Sequence, residues 1–186
     1  MKLGKEDGLL IVDAQQDFFP GGSLAVQEGD AILPVLHRWI ERISAAGGRL
    51  YATRDWHPRD HISFKSRGGP WPPHCVQDTP GAELHPRLHL PAHAMILNKG
   101  THPDRDNYSG FEIPELAQAM RRDGMRRLWI GGLAQDVCVR ASVLDALRAG
   151  FEVHVLVPAT RPVDPEAGRR ALEEMERAGA ILERET

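Results

Sequence analysis

Short apolar, β-branched runs alternate along the chain with amphipathic stretches of helical period. The runs predict strands at residues 8–13, 49–54, 94–98, 127–131, 152–157 and, more briefly, 180–182. The stretches between them predict helices at residues 30–46, 112–122, 136–149 and 165–178. Alternation of this kind is typical of α/β proteins, so the pattern predicts a mostly parallel sheet of five or six strands.

Four reactive side chains lie at or just after the ends of predicted strands. Asp13, Asp55 and Lys99 close or follow the first three strands, and Cys138 lies in the turn after the fourth. In open α/β sheets, ligand sites form outside the carboxyl ends of the strands. We therefore expect these four side chains, although far apart in sequence, to meet at one edge of the sheet.

Between the second and third strands lies a long segment, residues 56–93, that is rich in Pro, Gly and His. Loops of this length in a compact domain are usually functional. Together with Asp55, three of its histidines have spacings that suit a metal ion: His57, His61 and His74. One carboxylate with three imidazoles suits a borderline divalent ion such as Zn, Fe or Mn, and the sequence does not choose between them. Chance clustering of histidines on a polar loop is the competing interpretation.

Cys138 occupies a turn from a strand to a helix, for which Asp136 is the predicted N-cap. A thiol in the first turn of a helix is shifted towards the thiolate, and nearby backbone N–H groups can bind an oxyanion. The alternative is a small buried apolar residue. Asp13 and Lys99 would add a proton carrier and a cation suited to acyl transfer. Alternatively, they form a structural ion pair.

Composition narrows the class of protein further. The 186 residues carry a formal charge of −3 and 41% hydrophobic side chains, which gives no basic surface for nucleic acid or an anionic membrane. The sequence contains no apolar stretch long enough to span a bilayer and no signal-peptide pattern, so we expect a cytoplasmic protein with Cys75 and Cys138 as free thiols. Motifs for dinucleotides, nucleoside triphosphates and serine hydrolases are missing.

Taken together, these segments resemble the nicotinamidase branch of the isochorismatase-like cysteine hydrolase superfamily. The resemblance is carried by residues 12–18, 54–61, 63–64, 71–75, 99–100, 108–111 and 132–139. Most specific are the Asp-Trp-His-Pro segment that begins at Asp55 and the Trp-Pro-Pro-His segment that begins at Trp71. These mark the metal-dependent branch.

The resemblance implies a single domain over residues 1–186, with a three-layer α/β/α fold and a metal-binding excursion at about 55–93. The implied reaction is hydrolysis of nicotinamide to nicotinate and ammonia in NAD salvage, with pyrazinamide also cleaved. By that resemblance Cys138 is the nucleophile, Asp13 relays the proton and Lys99 is the cation.

The resemblance also implies how the substrate is held. The backbone N–H groups of Ala134 and Cys138 form the oxyanion hole, after a cis peptide bond between Leu133 and Ala134. One divalent metal ion is bound by the set Asp55, His57, His61 and His74, and orients the pyridine nitrogen. Phe18 and Trp71 flank the ring.

One residue departs from the family pattern. Gln135 stands where the family usually has Thr, so the pocket near the carboxamide could differ in shape. Two alternative functions remain: an amidase of the superfamily that acts on an aliphatic carbamoyl or ureido compound, and a non-catalytic metal-binding relative. The expected partner is a small molecule rather than nucleic acid or a membrane, and a homo-oligomer remains open.

Overall fold

A computed structural model describes residues 2–185 and contains one six-stranded parallel sheet flanked by four α-helices. The strands are β1 (Asp7–Val12), β2 (Arg49–Asp55), β3 (Met95–Lys99), β4 (Arg127–Leu133), β5 (Glu152–Arg161) and β6 (Ile181–Glu183). The helices are α1 (Leu33–Ala45), α2 (Pro114–Arg122), α3 (Arg140–Arg148) and α4 (Pro165–Arg177). The strand order is β3-β2-β1-β4-β5-β6. The predicted fold class is confirmed.

The central strand β1 shows why the molecule has three layers. All six of its residues are buried, and successive side chains point to opposite faces of the sheet. Leu9 and Ile11 join the core beneath α1, whereas Leu10 and Val12 join the core beneath α2, α3 and α4. A strand covered on both faces needs a continuous apolar run, which is the pattern in its sequence.

Three of the helices, α1, α2 and α3, begin later than the sequence pattern predicts. Gly29–Ile32 forms a 3-10 turn before α1. Residues 110–112 form a 3-10 turn before α2, with Ser109 accepting a hydrogen bond from Phe111 N. Residues 135–139 form a π-helical turn before α3. Since that π turn contains Cys138, the thiol does not lie in the first turn of a regular α-helix.

The histidine-rich segment between β2 and β3 folds back on itself without long helices or strands. Its backbone is held by hydrogen bonds from Trp56 N to Lys99 O and from His57 N to Cys75 O, each 2.9 Å long. Phe64 and Trp71 form a further isolated bridge. These bonds return the end of the segment to the carboxyl end of β2. Of the helices in residues 2–185, none combines the length and the apolar character needed to cross a membrane.

A close contact between β1 and β4 generates the first prediction. Gly132 has a φ of +127°, and a Cβ there would lie 2.0 Å from the carbonyl oxygen of Val12, so a side chain would force the strands apart. We expect Gly132→Ala to lower the free energy of unfolding by more than about 3 kcal/mol in urea denaturation. Gly124→Ala is the control, because φ is +77° but no atom lies within 4 Å, and it should cost about 1–2 kcal/mol. Equal losses would contradict the strand-contact explanation.

Candidate active site

The carboxylate of Asp13 lies directly after β1, where the backbone has a φ of +46°. Its backbone N–H donates to the Thr53 carbonyl at 3.1 Å, and the Thr53 hydroxyl donates to Asp13 Oδ1 at 2.7 Å. Asp13 Oδ2 lies 2.9 Å from Lys99 Nζ, in a buried ion pair. One oxygen is therefore held by Thr53, and the other faces the Lys99 ammonium.

The Lys99 ammonium at the end of β3 is the centre of this group. Its Nζ lies 2.9 Å from Asp13, 2.5 Å from Asp55 and 3.5 Å from the sulfur of Cys138. The side chain is fully buried. Burial by itself lowers the pKa of Lys99, but the charges of Asp13 and Asp55 outweigh it and raise that pKa well above its usual value. The group is therefore a permanent buried cation.

The Cys138 thiol is held in the π turn between β4 and α3 and is buried. Burial raises the pKa of this thiol well above its usual value, and the nearby Lys99 ammonium offsets the rise only in part. The direction of this shift is opposite to the shift towards the thiolate that the sequence predicts for a helix terminus. Because the resting group is a thiol, an adjacent base has to remove its proton before the sulfur can act as a nucleophile.

Asp13 is placed to be that base. The Cys138 sulfur and carboxylate oxygens of Asp13 and Asp55 all lie within 4.8 Å of one another. Burial and the charge of Asp55 raise the pKa of Asp13, while Lys99 and Thr53 lower it less. A carboxylate with a raised pKa binds a proton more tightly than an exposed one, which suits it to exchange a proton with the thiol.

A second group of donor atoms adjoins the first. Oxygen or nitrogen atoms of Asp55, His57 and His74 lie within 4.8 Å of one another, and all three residues are buried. His57 Nδ1 lies 2.9 Å from the Gly100 carbonyl, and His74 Nδ1 lies 2.8 Å from the Pro72 carbonyl. Since a carbonyl only accepts, each Nδ1 carries the hydrogen and each Nε2 is left as a metal donor.

His61 lies beside this group but is not brought into it. Its ring stacks on that of His57 at a centroid distance of 4.0 Å. Its Nδ1 lies 2.7 Å from the Ser63 hydroxyl, and its Nε2 lies 3.0 Å from the Arg105 carbonyl. Both nitrogens therefore have protein partners in this structure. The role of His61 as a fourth metal ligand stays a prediction.

Charge and donor chemistry both fit a divalent cation at the three-residue group. Burial raises the pKa of Asp55, but the Lys99 ammonium and the His57 contact outweigh burial and lower it below its usual value. Asp55 is therefore ionised at neutral pH, and two buried carboxylates face a single ammonium. A carboxylate oxygen with two imidazole nitrogens is a donor set used for Zn, Fe or Mn.

One cavity, open to solvent at its mouth, joins the Cys138 thiol to Asp55 and His74 of the metal-donor group. Its walls include the rings of Phe18, Trp71 and Tyr108, with Trp71 Nε1 donating to the Tyr108 hydroxyl at 3.2 Å. The full lining is Phe18, Leu24, Asp55, Trp71, His74, Tyr108, Ala134, Val137, Cys138 and Val163. The cavity is suited to a small planar molecule.

Four of these lining residues were not assigned by sequence reasoning: Leu24, Tyr108, Val137 and Val163. Three of them are apolar side chains in loops or turns, where no periodic pattern distinguishes a pocket wall from ordinary packing. Tyr108 lies in a segment that carries the family resemblance, residues 108–111. Membership of that segment is the sequence signal that indicates Tyr108 as a candidate pocket residue.

The peptide bond between Leu133 and Ala134 is cis, which confirms the geometry implied by the resemblance. The Ala134 carbonyl accepts hydrogen bonds from Val137 N and Val139 N, the amides on either side of Cys138. Ala134 also lines the cavity next to the thiol. The use of the Ala134 and Cys138 amides as an oxyanion hole stays a prediction.

Two neighbouring side chains differ from the sequence expectation. Gln135 does not line the cavity, because its amide donates to the Thr160 hydroxyl at 2.7 Å. Asp136 does not cap its own helix. Its carboxylate instead accepts hydrogen bonds from the amides of Val163 and Asp164, at 2.9 and 3.1 Å. Any effect of Gln135 on the pocket is therefore indirect.

The fold and site are those of a hydrolase built on a parallel α/β sheet, with a buried thiol, carboxylate and ammonium at its carboxyl edge. The isochorismatase domain family matches residues 7–186. The chain therefore belongs to the isochorismatase family.

Three relatives illustrate the similarity. A nicotinamidase of Escherichia coli is 40% identical, over 94% of this chain and 92% of its own length. The structure of a pyrazinamidase of Pyrococcus horikoshii in complex with zinc superposes with a TM-score of 0.93 at 50% identity, covering 96% of this chain and 98% of that one. The structure of PnC1 from L. infantum in complex with nicotinate gives a TM-score of 0.88 at 36% identity, covering 98% of this chain and 95% of that one.

The contact between Gly100 and His57 generates the second prediction. A Cβ at Gly100 would lie 2.4 Å from His57 Cε1, so Gly100→Ala has to displace that imidazole. We expect the affinity for Zn²⁺ to fall about 10–100-fold in competition with a chromogenic chelator. Gly68→Ala is the control, since its φ of +84° is also left-handed but no atom lies within 4 Å. Unchanged Zn²⁺ affinity in Gly100→Ala would contradict a metal site on His57.

Proposed function

We propose that this protein is a metal-dependent amidase that hydrolyses nicotinamide to nicotinate and ammonia, a step of NAD salvage. The observation that carries the proposal is the shared cavity, in which the Cys138 thiol faces the same aromatic-walled space as Asp55 and His74 of the metal-donor group. The E. coli nicotinamidase and the zinc-bound pyrazinamidase support the same activity.

In this proposal the substrate is held at two points. The pyridine ring lies between Phe18 and Trp71, which are among the cavity walls. Asp55, His57 and His74, with His61 as the predicted fourth ligand, would hold one divalent ion, with zinc as the first choice and iron or manganese as alternatives. When bound, the ion supplies a coordination position for the pyridine nitrogen. The carboxamide is then directed at the Cys138 sulfur.

Asp13 and Cys138 carry the chemistry. Asp13 takes the thiol proton while the Cys138 sulfur attacks the carboxamide carbon, and the new oxyanion is bound by the amides of Ala134 and Cys138. Asp13 then donates the proton to the leaving nitrogen, and ammonia departs. A water molecule, deprotonated by Asp13, hydrolyses the thioester and releases nicotinate and the thiol. The Lys99 ammonium stabilises the negative charge on the Asp13 carboxylate and the negative charge that develops on the Cys138 sulfur.

The wider setting is part of the same proposal. Pyrazinamide differs from nicotinamide by one ring nitrogen, so the same cavity should accept it as a substrate. We propose that residues 1–186 act as a single domain in the cytoplasm on small molecules, without nucleic acid or a membrane as partner. Assembly into a homo-oligomer is open to measurement by analytical ultracentrifugation.

Removal of the thiol tests the covalent mechanism. We expect wild-type protein to release ammonia from nicotinamide and Cys138→Ala to release none above background, because the nucleophile is lost. Asp13→Asn should reduce kcat about 10²–10⁴-fold, since the proton carrier is lost. Cys75→Ala removes the other buried thiol and should stay within a few-fold of wild type. Activity retained by Cys138→Ala would refute the proposed mechanism.

Removal of the metal separates the proposal from an amidase that acts on aliphatic carbamoyl compounds. Dialysis against a chelator should abolish nicotinamide hydrolysis, and added Zn²⁺ should restore it, because the ring loses its orienting contact. An amidase that acts on an aliphatic carbamoyl or ureido compound would keep its activity after chelation, because its substrate has no pyridine ring for the ion to orient. A non-catalytic relative would bind Zn²⁺ but release no ammonia from nicotinamide or from ureido compounds.

The stoichiometry of bound Zn²⁺ tests which residues are the metal ligands. His74→Ala should lose stoichiometric Zn²⁺, because it removes one of the three converging donors. His61→Ala should keep it if the three-residue group is sufficient, and should lose it if His61 is a ligand. Hydrolysis that persists at full rate in metal-free protein would contradict the proposal.

A further inference from the structure

The mouth of the cavity is formed in part by a side chain on a separate element. Val163 lines the cavity and is 42% exposed, whereas Cys138 at the inner end is 5% exposed. Val163 lies in the short link between β5, which ends at Arg161, and α4, which begins at Pro165. A large apolar side chain exposed at a pocket mouth is placed to contact whatever enters.

Asp136 fixes that link to the turn that carries the thiol. It precedes Cys138 by two residues, and its two carboxylate oxygens accept hydrogen bonds from Val163 N and Asp164 N, at 2.9 and 3.1 Å. Hydrogen bonds to an ionised acceptor are the stronger kind. These two hydrogen bonds therefore hold Val163 in a fixed position relative to the turn that carries Cys138.

The link has no other backbone donors to use. Pro162 and Pro165 have no N–H group, so the amides of Val163 and Asp164 are the only two in residues 162–165. Both are bonded to Asp136. The Asp164 side chain has a different task, since it accepts a hydrogen bond from Ala167 N at 2.7 Å and caps α4.

We propose that Asp136 is a positioning residue that sets substrate specificity, by holding Val163 against the outward edge of the bound ring. The inference rests on the proposed function. With the ring nitrogen at the donor group and the carboxamide at Cys138, carbon 5 of the pyridine points away from both and towards the mouth. Val163 therefore excludes nicotinamides substituted at carbon 5.

The experiment compares kcat/KM for 5-methylnicotinamide with kcat/KM for nicotinamide and takes the ratio. Val163→Ala should raise this ratio about tenfold, because a side chain that excludes one methyl group is shortened. Asp136→Ala should raise it by a similar factor, since the link is released. Asp136→Asn keeps one carbonyl acceptor and should give a ratio between those of wild type and Asp136→Ala.

Asp164→Ala is the matched control. It removes the cap of α4 but keeps the backbone N–H that Asp136 binds, so it should lower the melting temperature and leave the ratio within about twofold of wild type. A purely structural role for Asp136 would lower the activity on both substrates equally and leave the ratio unchanged.

The outcomes separate this inference from the proposed function. With an active wild type, an unchanged ratio in Asp136→Ala or in Val163→Ala overturns the inference alone. If Asp136→Ala does not fold, Val163→Ala and Asp136→Asn decide in its place, and unchanged ratios in these two overturn the inference. A wild type that releases no ammonia from nicotinamide overturns the proposed function and this inference with it.

Discussion

The Lys99 side chain carries a full positive charge into a position that solvent does not reach, and the rest of the site is arranged around that charge. A buried ion is costly unless it is paired at close range, and Lys99 is paired with both Asp13 and Asp55. Asp55 in turn belongs to the metal-donor group. The same ammonium therefore links the thiol side of the cavity to the donor side. The second carboxylate leaves a net negative charge, which favours a cation at the donor group.

The sheet supplies this pairing through register. Asp55 and Lys99 are partners at the ends of the adjacent parallel strands β2 and β3. Asp13 follows the neighbouring strand β1, whose Val12 is paired with Gly132 of β4. A side chain at Gly132 would collide with the β1 backbone, so the glycine allows the strand that leads to Cys138 to approach Asp13 closely. Strand packing thus sets the distance between Asp13 and Cys138, on which the proposed proton exchange depends.

The short turn after β4 serves both ends of the cavity. It holds the Cys138 thiol at the inner end, and through the Asp136 carboxylate it fixes the link that carries Val163 at the mouth. The turn is a π-helical segment continued by α3, so these positions belong to one continuous piece of backbone. The Cys138 thiol, which is the proposed nucleophile, and the Val163 side chain at the mouth are therefore positioned by the same element.

The sequence alone determined the succession of strands and helices along the chain, because hydrophobic periodicity is a local property. It also predicted that the polar strand ends meet at one edge, because alternating strands and helices indicate a parallel sheet. Asp55 and His74 could be assigned from motif spacing for the same reason. The tertiary structure decided the rest through partners distant in sequence. His61 is bonded to Arg105, 44 residues away, and Asp136 to the amide 27 residues beyond it. The protonation of a buried thiol likewise depends on surroundings that only the folded chain assembles.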